Sequence, residues 1–461
     1  MELQENALKE RFEKLRVKIL SYAKPTKSDI EICTKISNEI MERLKKAVPK
    51  DVEIILAGSV ARGTQIRGSS DIDIFLLFPK KMKERVMEHK GVEIAKSIVN
   101  KKRNESYVLK YAEHPYLQLI LGDLGVNVDI VPAYKISNSN EMGSAVDRTQ
   151  LHNEFVNNNL SERQKDDVRV LKVFLKGHNI YGAEAKVEGF SGYLCELLIY
   201  HFGSFLELIK GMSELKLPAV LDPKTRSFLS RDEYVKKFNS SFIVIDPTDP
   251  NRNVAANVSI DSLARFVLAS RKLISNPVEK SFYQEKYSDI NAKKKLGDIA
   301  KNLGLEMYAM NLDFEDIADD IKWQQAKKLR TRVEKKLNEY SFMPVISLHG
   351  VEGNKGSIAF FINPIRLGSV VHRGPSAFLA SASEKFIRVH RKEPISVKGS
   401  NLFTVSKARY SEPLELLREL AKGKSEKLPK YVKKNIRISK GMLDEEHAKI
   451  IYRAYMQAFS I

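Results

Sequence analysis

Apolar positions along the chain follow a helical period in some stretches and a period of two in others, and together they predict an α+β protein. Residues 1–23 read as an irregularly amphipathic helix that Pro25 ends. Ser28 with Glu31 gives the sequence of a capping box ahead of the stripe Ile32, Cys33, Ile36, Ile40 and Leu44, which runs to about Val48. Residues 52–57 predict a short strand ending at Gly58-Ser59, residues 60–66 the start of a helix, and residues 72–78 a second strand closed by Pro79. A charged helix is expected over roughly 81–99, and strands over 107–111 and 116–121. In VNVDIVPAY, Val126, Val128 and Ile130 alternate with Asn127 and Asp129, the period of a half-buried strand.

Residues 144–158 read as a polar connector, and Ser161 with Gln164 caps a helix whose stripe is Val168, Leu171, Phe174 and Leu175. From Tyr193 to about Lys210 the sequence is apolar on nearly every side, as for one helix buried in a domain. Residues 242–246 predict a strand before a proline-rich turn, and Asp261 the start of another helix. Composition shifts at 276–285, so a boundary is expected there. Beyond it lie the expected strands LEMYAMNL, FMPVISLHG, GSIAFFIN and EKFIRVHR, and a long charged helix over about 316–340. Arg373-Gly374-Pro375 is expected to open a second helix, followed by basic loops and a closing amphipathic helix over 444–459. The expected domains are 1–153, 154–275 and 276–461.

Length and charge narrow the partners. At 461 residues, two to four domains are expected. The 77 basic against 58 acidic residues give a net charge of +19, which favours a polyanionic partner. The excess is clustered: residues 381–440 hold 16 Lys/Arg against 6 Asp/Glu, about half of the total excess in an eighth of the chain. No apolar run of about 18 residues is present, so no membrane span is expected. The N-terminal residues lack a signal peptide's apolar stretch, and the two cysteines, Cys33 and Cys195, read as buried thiols of a cytoplasmic protein. High lysine and glutamate content is compatible with a thermophile.

The chemistry gathers in LAGSVARGTQIRGSSDIDIFLLFP, residues 56–79. Asp71 and Asp73 stand two apart on a strand, so both carboxylates point to one face and need a cation between them. Asp129 is a third carboxylate on a strand's polar face, whereas Asp123, before Gly125 in a tight turn, reads as turn chemistry. Three carboxylates without a histidine pair suit a hard cation bound through oxygen. Such a site serves phosphoryl or nucleotidyl transfer, and the turn at Gly58-Ser59 with Arg62 offers a seat for a triphosphate. Glycoside hydrolysis needs carboxylates on opposite sides of a sugar and fits poorly. Other phosphotransfer and plain binding stay open on these residues alone.

The pattern Gly58-Ser59, Asp71-x-Asp73 and Asp129 resembles that of polymerase-beta-like nucleotidyltransferases. YAEHPY (111–116), AVDRT (145–149) with the following His152, VRVLKVFLK (168–176), IYGAE (180–184), GFSGYLCELL (189–198), IDPTDPNRNVAANVS (245–259) and LARF (263–266) resemble the archaeal, class I CCA-adding tRNA nucleotidyltransferases. The resemblance is strong over residues 30–275 and looser beyond 285. It implies an α+β multidomain fold: a polymerase-beta-like nucleotidyltransferase palm, a mostly helical central domain and an α/β C-terminal RNA-binding region. It implies addition of C, C and A to the 3′ end of tRNA from CTP and ATP without a template. Asp71, Asp73 and Asp129 would hold two magnesium ions, with Asp129 aiding the primer's 3′-hydroxyl. Gly58, Ser59 and Arg62 would contact the triphosphate. Thr149, His152, Lys172 and Tyr181 would bind phosphates and ribose, and Arg252 would read the base edge together with a primer phosphate. The tRNA acceptor stem and T-arm would lie on the basic C-terminal region, and a homodimer is compatible. The competing readings are a poly(A) polymerase or related RNA-tailing enzyme, which would ignore CTP, and a catalytically degenerate RNA-binding protein.

Overall fold

The computed structural model describes residues 2–68, 71–111, 114–122, 126–224, 227–228, 232–284, 286–423, 428–433 and 436–459, which leaves Asp123 outside it. The chain divides near residue 285 into two compact units. In the first, α1 (Glu2–Ala23) and α2 (Lys27–Ala47) precede β1 (Glu53–Ala57), the single turn α3 (Gly58–Arg62), β2 (Ile72–Phe78) and α4 (Glu84–Ser97). The hairpin β3 (Glu105–Tyr111) and β4 (Pro115–Leu121) leads into β5 (Val126–Tyr134). These strands form one sheet in the order β1-β2-β5-β4-β3. β2 runs parallel to β5, and a parallel pair needs a crossover, here α4 with the β3–β4 hairpin. Strand β2 is apolar on both faces because both are covered. Ile72, Ile74, Leu76 and Phe78 share a core with Ile36, Ile40, Leu44, Met87 and Ala95 of α2 and α4. Phe75 and Leu77 meet Ala57 and Ala133 on the other face, and Asp73 stands on that second face.

Helix α2 begins earlier than expected: Thr26 is its N-cap and Asp29 completes the box, in place of Ser28 and Glu31. Two overlapping box sequences are available, and the earlier one adds helical residues. The stretch expected as a connector is helical. Ser144 and Asp147 cap a 3₁₀ turn (Ala145–Arg148) that leads into α5 (Thr149–Asn159). Its apolar period is weak because the helix buries His152 and Asn153 beside Val156.

Helix α6 (Glu162–Gly177) carries the Ser161–Gln164 capping box. The apolar run after it is two helices, α7 (Gly192–Phe202) and α8 (Phe205–Ser213), bent by 92° at Gly203-Ser204. Gly203 takes φ 87° and Ser204 caps α8, while the apolar pattern continues across the break. A small sheet follows in the order β7-β6-β8-β9, from β6 (Ala219–Asp222), β7 (Ser227–Phe228), α9 (Asp232–Phe238), β8 (Phe242–Asp246) and β9 (Asp249–Asn253). Ser259, rather than Asp261, caps α10 (Ile260–Ser275). Phe12 and Ile19 of α1 pack with Leu171, Phe174, Leu197, Leu208 and Phe266 in one helical core. Cys33 and Cys195 are buried and free.

The second unit contains α11 (Ala292–Asn302), β10 (Glu306–Asp313), α12 (Asp319–Glu339), β11 (Ile346–Glu352), β12 (Lys355–Ile362), β13 (Ser369–Ser376), α13 (Ala380–Val389), β14 (Ile395–Lys398), β15 (Asn401–Lys407), α14 (Pro413–Ala421), β16 (Arg437–Lys440) and α15 (Glu445–Phe459). The sheet β11-β12-β10-β16 packs α12 and α14 on one face and α11 and α15 on the other. Three expectations change here. Arg373-Gly374-Pro375 lies in β13, EKFIRVHR is helical in α13 as far as Val389, and the stretch expected as basic loops holds β14, β15, α14 and β16. Ile387 and Val389 of α13 stay exposed, so no buried helical stripe marks that helix in the sequence. No single helix among the described residues is long and apolar enough to cross a membrane.

Candidate active site

Backbone register builds the acidic face. Asp73 pairs with Ala57 in β1 and with Asp129 in β5, so the two carboxylates occupy neighbouring positions on adjacent parallel strands. Asp71 precedes β2 and is exposed. Gln118 of β4 faces Asp129 and donates from Nε2 to Oδ1 at 2.8 Å. The β1–α3 turn closes against Asp73: Gly58 has φ 70°, and a Cβ there would lie 1.8 Å from Asp73 Oδ2. Only glycine fits that turn, both for its left-handed backbone and for the space.

Among the described residues, neither Asp73 nor Asp129 is in a salt bridge, and burial outweighs the positive charges that act on them. Burial, and then the charge of Asp129, pushes Asp73 up to about 7, with Arg62 pulling the other way. Burial also raises Asp129, and Asp71 adds to it against Gln118 and Lys110. Burial beside the three aspartates pushes the Tyr116 hydroxyl up to about 12. A divalent cation would reverse these shifts, and carboxylate oxygens are the donors a hard cation takes. The residues therefore fit a metal. Among the described residues, the three ligating side chains lying mutually within 4.8 Å are elsewhere, at Glu84, Glu88 and His114. His114 Nδ1 there is 2.8 Å from Glu88 Oε1.

The basic side chains are held by side-chain bonds instead. Ser59 is half-buried in α3. Arg62 ends the same turn but points inward, with Nε 3.0 Å from Glu196 and Nη1 donating to Asn153 Oδ1 at 2.9 Å. Glu196, fully buried on α7, also accepts from Thr64 Oγ1 at 2.5 Å. Lys172 of α6 is buried and donates from Nζ to the Thr64 carbonyl at 2.9 Å. Burial pushes its ammonium down to about 8, with Glu196 opposing. Tyr181 joins this group: a Cβ on Gly192 would lie 3.5 Å from Tyr181 Oη and 3.8 Å from Lys172 Nζ. Arg169 binds the Gln65 carbonyl at 3.0 Å and the Gly63 carbonyl, so α6 and α7 grip the segment that follows the turn.

A third group centres on Asp246 at the end of β8. Its Oδ2 accepts from Arg252 Nη1 at 2.8 Å and lies 3.0 Å from His152 Nε2. Its Oδ1 accepts from Tyr193 Oη at 3.1 Å and from Thr248 N at 2.9 Å. Burial would raise the Asp246 carboxyl, but hydrogen bonds from His152 and Thr248 hold it below the usual carboxylate range. Burial lowers the His152 imidazole against the pull of Asp246, and its Nε2 lies within hydrogen-bond distance of both Asp246 Oδ2, at 3.0 Å, and Arg252 Nη1, at 3.3 Å. Thr149 opens α5 one turn before His152. Arg252 and Arg148 also line a cavity of about 670 Å³ with Asn251, Asn253 and Ser240.

The structure thus gathers Arg62, Lys172 and Tyr181 around Thr64 and Glu196, and His152 with Arg252 on Asp246. Sequence reasoning passed over Glu196, Asn153, Gln118, Tyr193 and Asp246. Glu196 had a legible sign, being a lone carboxylate inside the apolar segment GYLCELL. Asp246 lies inside IDPTDP, where an aspartate before a proline also reads as turn chemistry.

Three family models match successive stretches: a nucleotidyltransferase domain over 37–152, a tRNA nucleotidyltransferase second domain over 166–283, and a CCA-adding enzyme C-terminal domain over 304–443. A CCA-adding enzyme of Methanocaldococcus jannaschii is 35% identical over 433 residues, covering 91% of this chain and 93% of its own length. The chain belongs to the CCA-adding enzyme family. A second CCA-adding enzyme, of Archaeoglobus fulgidus, is 32% identical and covers 92% of this chain and 93% of its own length. A solved Cid1 poly(U) polymerase aligns with 59% of the chain at 15% identity and a TM-score of 0.47. The resemblance read from the sequence and the expected α+β nucleotidyltransferase fold both hold. Family membership makes the protein a tRNA nucleotidyltransferase of CCA addition, and enzymes of this kind act on tRNA with CTP and ATP. Their superfamily generally uses divalent metal ions.

Proposed function

We propose that the face shared by Asp73 and Asp129 is the centre at which this tRNA nucleotidyltransferase adds C, C and A in turn to the 3′ end of tRNA. The observation that carries this reading is the parallel register of the two aspartates with Gly58 closed against one of them. Asp71, Asp73 and Asp129 would hold two magnesium ions, which in such sites activate the attacking oxygen and stabilise the leaving one. Asp129 aids the primer's terminal 3′-hydroxyl. The 3′-oxygen attacks the α-phosphorus of CTP or ATP, and diphosphate leaves.

Backbone N–H groups at Gly58 and the Ser59 hydroxyl bind the triphosphate, with Arg62 and Lys172 supplying positive charge beneath the turn. Tyr181, Thr149 and His152 complete the wall around phosphates and ribose, and Arg252 reads the base edge together with a primer phosphate. Residues 1–153 serve as catalytic domain, 154–275 bind nucleotide and primer, and the basic 276–461 region binds the acceptor stem and T-arm through phosphates and 2′-hydroxyls. The enzyme works in the cytoplasm, and a homodimer fits this division of work.

The test is tRNA lacking its CCA end, incubated with magnesium and each nucleotide. Two CMP additions, one AMP addition and then a stop are expected. Incorporation of UMP, or AMP addition without end, would overturn the reading.

A further inference from the structure

Arg252 is a long side chain on β9, 32% exposed, at the edge of a cavity. A guanidinium so placed has many rotamers, and only an anchored one presents the same N–H groups to every ligand. The anchor is Asp246, which is wholly buried. Its carboxylate is itself fixed from several elements: Thr248 donates from N at 2.9 Å and from Oγ1 at 2.8 Å, Tyr193 Oη donates at 3.1 Å, and His152 approaches at 3.0 Å. The His152 ring stacks on Tyr193 with centroids 3.7 Å apart and planes 18° apart, which ties α5 and α7 to the same point. Asp246 is therefore held in place without Arg252, while Arg252 Nη1 is held by Asp246 at 2.8 Å and lies 3.3 Å from the Nε2 of His152, a ring that Asp246 itself fixes.

We propose that Asp246 is a positioning residue that sets the enzyme's choice of nucleobase by fixing Arg252 through Nη1, leaving the outward N–H groups of the guanidinium as a donor-only edge. The inference rests on the reading of Arg252 as the base reader. A guanidinium has no acceptor. A fixed donor facing the ring nitrogen of a Watson–Crick edge meets an acceptor in cytosine N3 and adenine N1. In uracil N3–H and guanine N1–H it meets another donor. One immobile donor thus admits the two bases that the reaction uses and opposes the other two. A mobile arginine could swing aside and lose that discrimination, since an unmatched donor costs only when it cannot move.

Asp246→Asn keeps the shape and removes the charge. The expected result is a KM for CTP and ATP raised about tenfold, a smaller change in kcat, and a UMP-to-CMP incorporation ratio raised by about the same factor. Arg252→Ala is expected to relax the ratio at least as far. The double variant is expected to be no worse than Arg252→Ala alone, because the two residues act as one unit. Tyr193→Phe keeps the ring stack and removes one donor to Asp246, and a shift of roughly two- to threefold in the same direction is expected. An unchanged ratio in Asp246→Asn, or penalties that simply multiply in the double variant, would overturn the inference while leaving Arg252 as base reader. Should Asp246→Asn fail to fold, an unchanged ratio in Tyr193→Phe overturns it instead. An unchanged ratio in Arg252→Ala would remove the base-reader role and this inference with it.

Discussion

On one side of the Gly58 turn, Asp73 and Asp129 are set by strand register and, among the described residues, make no salt bridge. On the other side, Arg62 is set by Glu196 and Asn153 and Lys172 by the Thr64 carbonyl, so both already have partners within the fold. The difference teaches what each half can do. Carboxylates outside any salt bridge on a rigid sheet are available to cations that arrive with the substrate. Partnered cations contribute by shaping and fixing the turn, and only secondarily by raw charge, because a buried pair broken on one side is strongly destabilising.

If that contrast holds, the largest effect belongs to the acidic side. Asp73→Asn is expected to reduce CMP transfer by about a thousandfold or more, since electrostatic stabilisation of the transferring group is lost. tRNA affinity should stay within about twofold, because phosphate contacts elsewhere dominate it. Single-turnover extension beside a binding titration measures both. Surviving transfer would show that Asp73 is not where the cations act.

Gly58→Ala tests the junction of the two halves. The added Cβ would lie 1.8 Å from Asp73 Oδ2, and the backbone there is left-handed, which costs roughly 1–2 kcal/mol for an L-residue. Transfer should fall about a hundredfold as the carboxylate is displaced, while melting of the first unit drops by only about 2–4 °C per kcal/mol lost. Full activity would mean that the turn and the carboxylate are not coupled.

On the basic side, Glu196→Gln keeps an acceptor for Thr64 but leaves the Arg62 guanidinium buried against a neutral group. A stability loss of about 2 kcal/mol and a fall in kcat of about tenfold are expected. Thermal denaturation and steady-state CMP incorporation read the two effects. Unchanged activity despite the lost stability would mean that this brace on Arg62 is not needed for transfer.

The same contrast explains what could be read from the sequence. Asp73 and Asp129 were legible because a period of two fixes the face of a strand residue, and neighbouring strands then align their polar positions. Their partner in the turn was legible too, since Gly58 ends an apolar strand. Arg62 was legible as charge, but not as a buried side chain bonded to a carboxylate 134 residues away. Asp246 and His152 are separated by 94 residues and meet only through the tertiary fold. Local period also failed at α7–α8, where apolar residues continue through the bend at Gly203, and at α5, where a helix buries polar groups. Buried polar pairs leave no repeating signature, so the half of the site that depends on them stays hidden until the chain is folded.

Lys172 gives the smallest expected effect and the most direct view of a buried cation. Its ammonium is pushed down to about 8 when folded, against 10.5 for an ordinary lysine. Between those values the unfolded chain binds more protons than the folded one, so this residue's contribution to stability improves as pH rises from about 8 to 10.5. Below about 8 the cost of burying the charge is present in full. Lys172→Met removes the titration and loses the bond to the Thr64 carbonyl. The loss sets an offset between the two proteins, but only the titration makes that offset change with pH. Melting curves from pH 7 to pH 10 should therefore show the wild type gaining on Lys172→Met by a few degrees, at roughly 2–4 °C per kcal/mol. CTP should narrow the wild-type gain, because a triphosphate beside the ammonium favours the charged form and raises its pKa again. A constant offset across the range would mean that Lys172 carries no buried charge. A pH-dependent offset that CTP leaves unchanged would mean that the charge is buried for the fold and not for the nucleotide.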